Sequence, residues 1–311
     1  MNVRECAELL QKQDQFLIIT HKRPDGDTLG SSAALCRGLR RMGKQAFLFP
    51  NPQVTDTYMP TVEPYFAPVG FAPEYVIAVD CADSGMFTQG FDGHVDMAID
   101  HHPANPGYAD HTLVMAEKAA CGEIVLLVLK ELGCGIDEEM ASAMYMAIST
   151  DTGCYAYSNT TADCHRATAE LMELGAKSQS LNKILFRTST AARLQLEGMV
   201  YTSLRRFHNG EINFAVITLD MMAKAGCTED DCDDLASLPG KIKGNKISAT
   251  IRELEPGFCK VSVRTGTEID ASAVCAKFGG GGHKMAAGCE LRATPDETVE
   301  QLLKAVYEVW K

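Results

Sequence analysis

The sequence predicts an α/β protein: an N-terminal doubly wound parallel sheet, then a smaller C-terminal domain of mixed α/β type, with a cleft between the two. Three observations carry this. Short apolar runs alternate with helix-like stretches through the first half of the chain, the pattern of a parallel sheet with helical crossovers. Three of those runs end on His or Asp, at the strand ends where an open parallel sheet binds ligands. After the turn signal His208-Asn209-Gly210 a second strand and helix pattern begins.

In chain order, residues 16–20, 45–49, 75–79 and 95–99 are apolar runs that stop at polar clusters and read as strands. Residues 29–42, 121–132 and 138–149 read as the helices of this domain. Two more helices are expected at 162–175 and 194–207, with a polar break at 177–180. The second domain offers strands at 212–219, 246–252 and 260–264 and helices at 271–277 and 295–309. The expected division is residues 1–185, a helical linker at 186–208, and residues 209–311.

Composition narrows the function. The 311 residues are 46% hydrophobic and 23% charged, an ordinary globular balance that excludes disordered, collagen-like and coiled-coil classes. The net charge of −12 opposes a long duplex or an anionic membrane as partner. Arg4, Glu5, Glu8, Lys12 and Asp14 interrupt the N-terminus, so no signal peptide is expected, nor does any apolar run approach the ~20 residues of a membrane span. A cytoplasmic protein is expected. Its 12 cysteines, from Cys6 to Cys289, include no C-x-x-C pair and read as reduced, mostly buried thiols. Cys227 lies beside and Cys232 within the acidic run 229–234, where a solvated loop is preferred over a soft-metal site.

The strand ends carry the chemistry. The first run is followed by His21-Lys22-Arg23-Pro24-Asp25-Gly26-Asp27, the third by Asp80, and the fourth by Asp100-His101-His102. Asp151 follows a helical run. Each motif alone has an ordinary explanation, because an Asp after a strand caps a helix and Asp-Gly-Asp is a common turn. Their joint occurrence at one sheet edge is what points to a site. Carboxylates this close repel unless a cation lies between them, and the set is too rich for one ion. Two divalent metals fit, and carboxylates with a minority of imidazoles and no thiolate favour Mn²⁺. Two ions clamp the attacking and leaving oxygens of a phosphoryl displacement. Asp100 is placed to orient a neighbouring histidine.

In the second half the run Gly279-Gly280-Gly281-Gly282-His283 exposes backbone N–H groups, and Lys284-Met285-Ala286-Ala287 is expected to open a helix whose N-terminus favours an anion. Lys241, Lys243, Lys246, Arg252, Lys260 and Arg264 outnumber Glu253 and Glu255 nearby, a local reversal of the acidic background.

Together these residues resemble the DHH phosphoesterase superfamily with its associated C-terminal substrate-binding domain, and within it the bacterial oligoribonuclease and 3′-phosphoadenosine-5′-phosphate (pAp) phosphatase type. The resemblance spans nearly the whole chain. It rests on His21, Pro24-Asp25-Gly26-Asp27 and Gly30-Ser31, on Asp80 with Asp83-Ser84, on Asp100-His101-His102, on Asp151-Thr152-Gly153, and on the glycine run followed by Ala286-Ala287-Gly288. It implies one metal on His21, Asp25 and a bridging Asp80, and a second on Asp27, Asp80, His101 and Asp151. It also implies His102 at the scissile phosphate as proton donor, and Arg264 with Gly279, Gly280, Gly281, Gly282 and His283 on the terminal nucleotide. Relatives often carry an aromatic and then a basic residue after Asp-Thr-Gly, whereas Tyr155 here is followed by Ala156.

The implied activity is hydrolysis of short oligoribonucleotides or pAp, with a short RNA or small nucleotide as partner and a homodimer allowed. The alternatives are a phosphodiesterase for pApA or cyclic di-AMP and, in another class, a non-catalytic nucleotide sensor. The sensor reading expects lost ligands, and none is lost. A pyrophosphatase would not explain the glycine-rich run, and a RecJ-like exonuclease would be longer and more basic.

Overall fold

A computed structural model describes residues 1–228, 230–232 and 235–310. The chain divides into two units, residues 1–188 and residue 189 onwards. In the first, helix α1 (Val3–Lys12) opens on an Asn2–Glu5 capping box. The remaining elements are β1 (Phe16–Ile19), α2 (Gly26–Arg41), β2 (Ala46–Leu48), a one-turn α3 (Met59–Val62), β3 (Tyr75–Val79), β4 (Met97–Asp100), β5 (His111–Val114), α4 (Cys121–Leu132), α5 (Glu138–Asp151), α6 (Ala162–Glu173) and α7 (Ser178–Arg187).

Among the described residues the strands run in the order β2-β1-β3-β4-β5, all parallel. Phe16, Ile18, Ile77, Met97 and Ile99 are fully buried, which is why these strands read as continuous apolar runs. From β1 the chain moves out to β2 and then returns to the other side of β1 as β3, so the carboxyl ends of β1 and β3 form the topological switch point where such sheets bind ligands. Helices α2 and α5 pack closely because of Gly30: a Cβ there would lie 2.3 Å from the Ala143 carbonyl oxygen. That closeness brings the N-terminal turn of α2 toward the last turn of α5.

The second unit contains α8 (Ala191–Thr202), β6 (Arg205–Phe207), β7 (Ile212–Ile217), α9 (Leu219–Ala225), β8 (Ile247–Glu255), β9 (Phe258–Thr265), α10 (Ala271–Ala276), β10 (Gly281–His283), β11 (Ala286–Leu291) and α11 (Pro295–Val309). Its sheet order is β10-β11-β9-β8-β7-β6, with β7 and β8 parallel and the other neighbours antiparallel. Phe214, Val261, Val263, Val274 and Leu302 form the core of one face. Leu196, Val200, Ala215, Ile217 and Leu235 form the core of the other.

Four expectations change. The polar break at 177–180 is the start of α7, none of whose residues is fully buried; its first three residues are polar, and its apolar side, with Leu181 and Leu185 packed against the core, begins only at the second turn. The helix expected over 194–207 ends at Thr202, and residues 205–207 form edge strand β6 against β7. The span expected as a linker, 186–208, is therefore the end of α7 followed by parts of the second unit. Lys284-Met285-Ala286-Ala287 opens no helix: residues 281–283 and 286–291 form a hairpin. A Cβ on Gly280 would lie 2.2 Å from the Gly288 carbonyl oxygen, and one on Gly282 2.6 Å from that of Ala286. These glycines are required by close strand pairing, so the helix-dipole argument for anion binding falls away. Of the acidic run beside Cys227 and Cys232, residues 229, 233 and 234 lie outside the described residues; the Cys232 thiol sits 3.6 Å from the Thr228 carbonyl.

Candidate metal centre

Each element of the first unit delivers its side chain for a local reason. Asp25 is the N-cap of α2, its carboxylate accepting from the N–H groups of Asp27 and Thr28. The helix-cap reading and the site reading thus coincide in one residue. Asp27, in the first turn, is 1% exposed. Its carboxylate accepts from Ser31 Oγ at 3.0 Å and from the N–H groups of Cys121 and Gly122, at 2.7 and 3.0 Å, at the start of α4. Asp80 follows β3 at φ 59°, a left-handed conformation in which Asp is among the better tolerated residues. Asp151 ends α5, and Asn159 Nδ2 donates to its carboxylate at 3.3 Å.

The metal-type donors expected from the sequence come together. His21 Nε2 lies 3.5 Å from Asp25 Oδ1 and 3.8 Å from Asp80 Oδ2. His101 Nε2 lies 3.4 Å from Asp80 Oδ1 and 3.8 Å from both Asp27 Oδ2 and Asp151 Oδ2. Donor atoms of His21, Asp25 and Asp80 lie within 4.8 Å of one another, as do those of Asp27, His101 and Asp151. Asp80 offers one oxygen to each side. The Nδ1 edges of His21 and His101 face the carbonyls of Lys22 (2.9 Å) and Lys118 (3.3 Å), which favours Nδ1–H and leaves the Nε2 lone pairs for a cation.

The electrostatics oppose holding these carboxylates together in ionised form. Burial raises the Asp80 carboxyl well above the usual range, and the charges of Asp25, Asp100 and Asp151 raise it further. Burial does the same to Asp27, reinforced by Asp80 and Asp151. Burial also lifts Asp151, partly offset by His101. Asp80 Oδ1 is buried without a hydrogen-bond partner, which in a native fold calls for an explanation. A cation there would supply it, and the neighbouring carboxylate and imidazole donors fit such a group. The thiols of Cys81 and Cys121 border the cluster, but burial and the adjacent carboxylates hold them protonated. Their Sγ atoms face the carbonyls of Val79 (3.5 Å) and Ile99 (3.3 Å) instead.

Asp100 and His102 form a separate pair. Asp100 is fully buried; its Oδ1 accepts from the N–H groups of His101 and His102 and lies 2.7 Å from His102 Nδ1. Burial alone would raise this carboxyl, but the hydrogen bonds from His102 and Asn105 outweigh it and hold it below the usual value. His102 Nδ1 is 3.6 Å from Asp80 Oδ1, yet that nitrogen is committed to Asp100. With 38% of its side chain exposed, against 9% for His21 and 14% for His101, His102 is the most open imidazole of the three.

On the second unit, Arg264 and His283 both pair with Ala286 from opposite sides. Directly paired residues point to one face, so Arg264 and His283 share the face of the sheet that also carries Lys260. Both are exposed. Lys246 does not join them, because Glu211 and Glu268 hold its ammonium at 3.2 and 3.1 Å. Tyr155, beside the departure at Ala156, stacks on His165 at 5.3 Å.

Sequence reading missed Asn105, Asn159 and Ser31 as supports of Asp100, Asp151 and Asp27. Ser31 stood within a quoted motif at a helical spacing of four from Asp27, a legible signal. The two loop asparagines carried none.

A pH prediction follows. Asp27 and Asp80 are raised in the fold and His21 is raised too, the bond and charge of Asp25 outweighing burial. Groups that hold extra protons when folded stabilise below their ordinary pKa, and that stability is lost as pH rises through their raised values. Asp25, shifted down, is constant above pH 5. The metal-free protein should therefore melt lower at pH 8 than at pH 5.5, and the increase in Tm on adding Mn²⁺ should grow across that range to ~5 °C or more. Equal increments at both pH values in a thermal-shift assay would contradict the assignment.

The N-terminal domain of the DHH family matches residues 15–148, and the DHHA1 domain matches residues 211–311. The chain is 34% identical to the bifunctional oligoribonuclease and PAP phosphatase NrnA of Thermus thermophilus, over 98% of this chain and 94% of that protein. A solved exopolyphosphatase-related protein from Bacteroides fragilis superposes with a TM-score of 0.88 at 22% identity, covering 98% of this chain and 95% of that one. RecJ from Thermus thermophilus, crystallised with Mn²⁺, superposes at 0.53 with 17% identity, over 98% of this chain and 54% of RecJ. With both domains matched in order and a relative aligned along nearly its whole length, the chain belongs to the DHH family, with DHHA1 as its second domain.

Proposed function

We propose that this protein is a two-metal phosphoesterase that hydrolyses short oligoribonucleotides and pAp. One observation carries the reading: Asp80 stands between two donor groups, belonging to the first with His21 and Asp25 and reaching the second, Asp27 with His101 and Asp151, through His101 Nε2 at 3.4 Å from its buried Oδ1, which has no hydrogen-bond partner. The name of the Thermus thermophilus relative supports the substrate class. The carboxylate–imidazole donor set favours Mn²⁺.

His21, Asp25 and Asp80 hold one ion, and Asp27, Asp80, His101 and Asp151 the other. Bound there, the ions supply Lewis-acid charge for the phosphate oxygens and for an attacking water. The chain's own residues do the rest. Asp100 fixes the His102 ring through Nδ1 and leaves Nε2 to donate a proton to the departing ribose oxygen. Backbone N–H groups at the start of α4 hold Asp27, and Asn159 holds Asp151. Arg264 and the segment from Gly279 to His283 bind the nucleotide. Twelve cysteines without a C-x-x-C pair suit a cytoplasmic enzyme, and no helix among the described residues is long and apolar enough to cross a membrane.

Hydrolysis with Mn²⁺ over a panel of pAp, pApA, cyclic di-AMP, a 3-mer RNA and pyrophosphate tests the assignment. The 3-mer and pAp should be the best substrates, and preference for pyrophosphate or cyclic di-AMP would overturn it. Arg264→Ala should raise KM for the 3-mer by about tenfold with kcat little changed, because it contributes a cation for substrate and no donor to the metal cluster. A collapsed kcat at constant KM would contradict that role.

A further inference from the structure

We infer that Asn105 is a positioning residue that aims His102 through Asp100 and ties it to the strand end bearing Asp80. Asn105 Nδ2 donates to Asp100 Oδ2 at 2.7 Å and, more weakly, to the Cys81 carbonyl at 3.3 Å. Its N–H donates to the His102 carbonyl at 3.1 Å, and its Oδ1 accepts from Gly107 N–H at 2.9 Å. Tyr108 Oη donates to the same Cys81 carbonyl at 2.9 Å. One amide thus joins the ends of β3 and β4. Asp100 Oδ1 is taken up by His102 and two backbone N–H groups, and Asn105 holds the other oxygen, Oδ2, so that the carboxylate is pinned at both ends against rotation. A rotation there would swing the His102 ring, because Nδ1 follows Oδ1.

The inference rests on the reading of His102 as proton donor. In that step the bond from phosphorus to the water oxygen forms and the bond from phosphorus to the ribose oxygen breaks. The proton on His102 Nε2 goes to that ribose oxygen, and a proton from the attacking water restores the imidazolium. Proton donation matters for an alkoxide leaving group and little for a nitrophenolate, which leaves unprotonated.

The test compares Asn105→Asp with wild type on a 3-mer RNA and on a nucleoside 5′-phosphate p-nitrophenyl ester, with Mn²⁺. Asn105→Asp keeps the acceptor for Gly107 but replaces the donor to Asp100 with a like charge. It should lower kcat on RNA about 100-fold and on the nitrophenyl ester less than about fivefold, with KM and Mn²⁺ binding unchanged. Asn105→Ala should show the same split, and Tm with and without Mn²⁺ confirms that each variant folds and loads. His102→Ala serves as the control. If it shows the split and Asn105→Asp loses both substrates equally, Asn105 has no positioning role. If His102→Ala itself loses both equally, the proton-donor reading fails and the inference falls with it.

Discussion

Asp80→Ala and Asp80→Asn should each lower Mn²⁺-dependent kcat/KM by at least about 10³-fold, equivalent to about 4 kcal/mol of transition-state stabilisation. No other side chain of the cluster stands close to both histidines: Asp80 Oδ2 is 3.8 Å from His21 Nε2 and Oδ1 is 3.4 Å from His101 Nε2. Removing it costs both ions a shared ligand. The Asn variant is the sharper of the two, because it keeps a residue type that tolerates φ 59° and removes only the charge. It should also melt higher than wild type when both are metal-free at pH 8, since a buried carboxylate repelled by Asp25, Asp100 and Asp151 is gone. Retention of more than a tenth of the activity, measured with saturating Mn²⁺, would contradict the shared-ligand role.

His102→Ala should lower kcat on short RNA by roughly 10²- to 10³-fold, the usual contribution of a positioned proton donor, while leaving two Mn²⁺ bound per chain. The separation of the two effects comes from geometry. His102 Nδ1 is 2.7 Å from Asp100 and 3.6 Å from Asp80, so the ring is held by a hydrogen bond rather than committed to an ion. Loss of one Mn²⁺ equivalent from the variant, counted by calorimetric titration, would make His102 a ligand instead.

Much of the first unit was legible because its signals are local and repeated. A fully buried parallel strand such as 75–79 is a short apolar run, and whatever follows it lies at the ligand edge; that places Asp80, Asp100, His101 and His102 together from the sequence alone. Asp25 and Asp27 were legible for a related reason, since an Asp-Gly-Asp turn directly after a strand sets two carboxylates at the same edge; that Asp25 is also the N-cap of α2 was not. The glycine run misled. Four glycines signal that backbone must come close to something, but not to what; here Gly280 and Gly282 approach the strand beside them, which makes a hairpin of residues 281–291. The short elements were hard to read: α7 opens on three polar residues and has no fully buried one, and β6 is three residues at a sheet edge. Asn105 and Asn159 were illegible because a single asparagine in a loop has no period, and its partners lie on other strands or helices.

The measurement that bears most directly on the central claim is anomalous diffraction from crystals grown with Mn²⁺. Two ions ~3.5 to 4 Å apart, each within bonding distance of one Asp80 oxygen and with His21 and His101 on opposite sides, is the result expected. A single ion, or two ions that do not share Asp80, would contradict it.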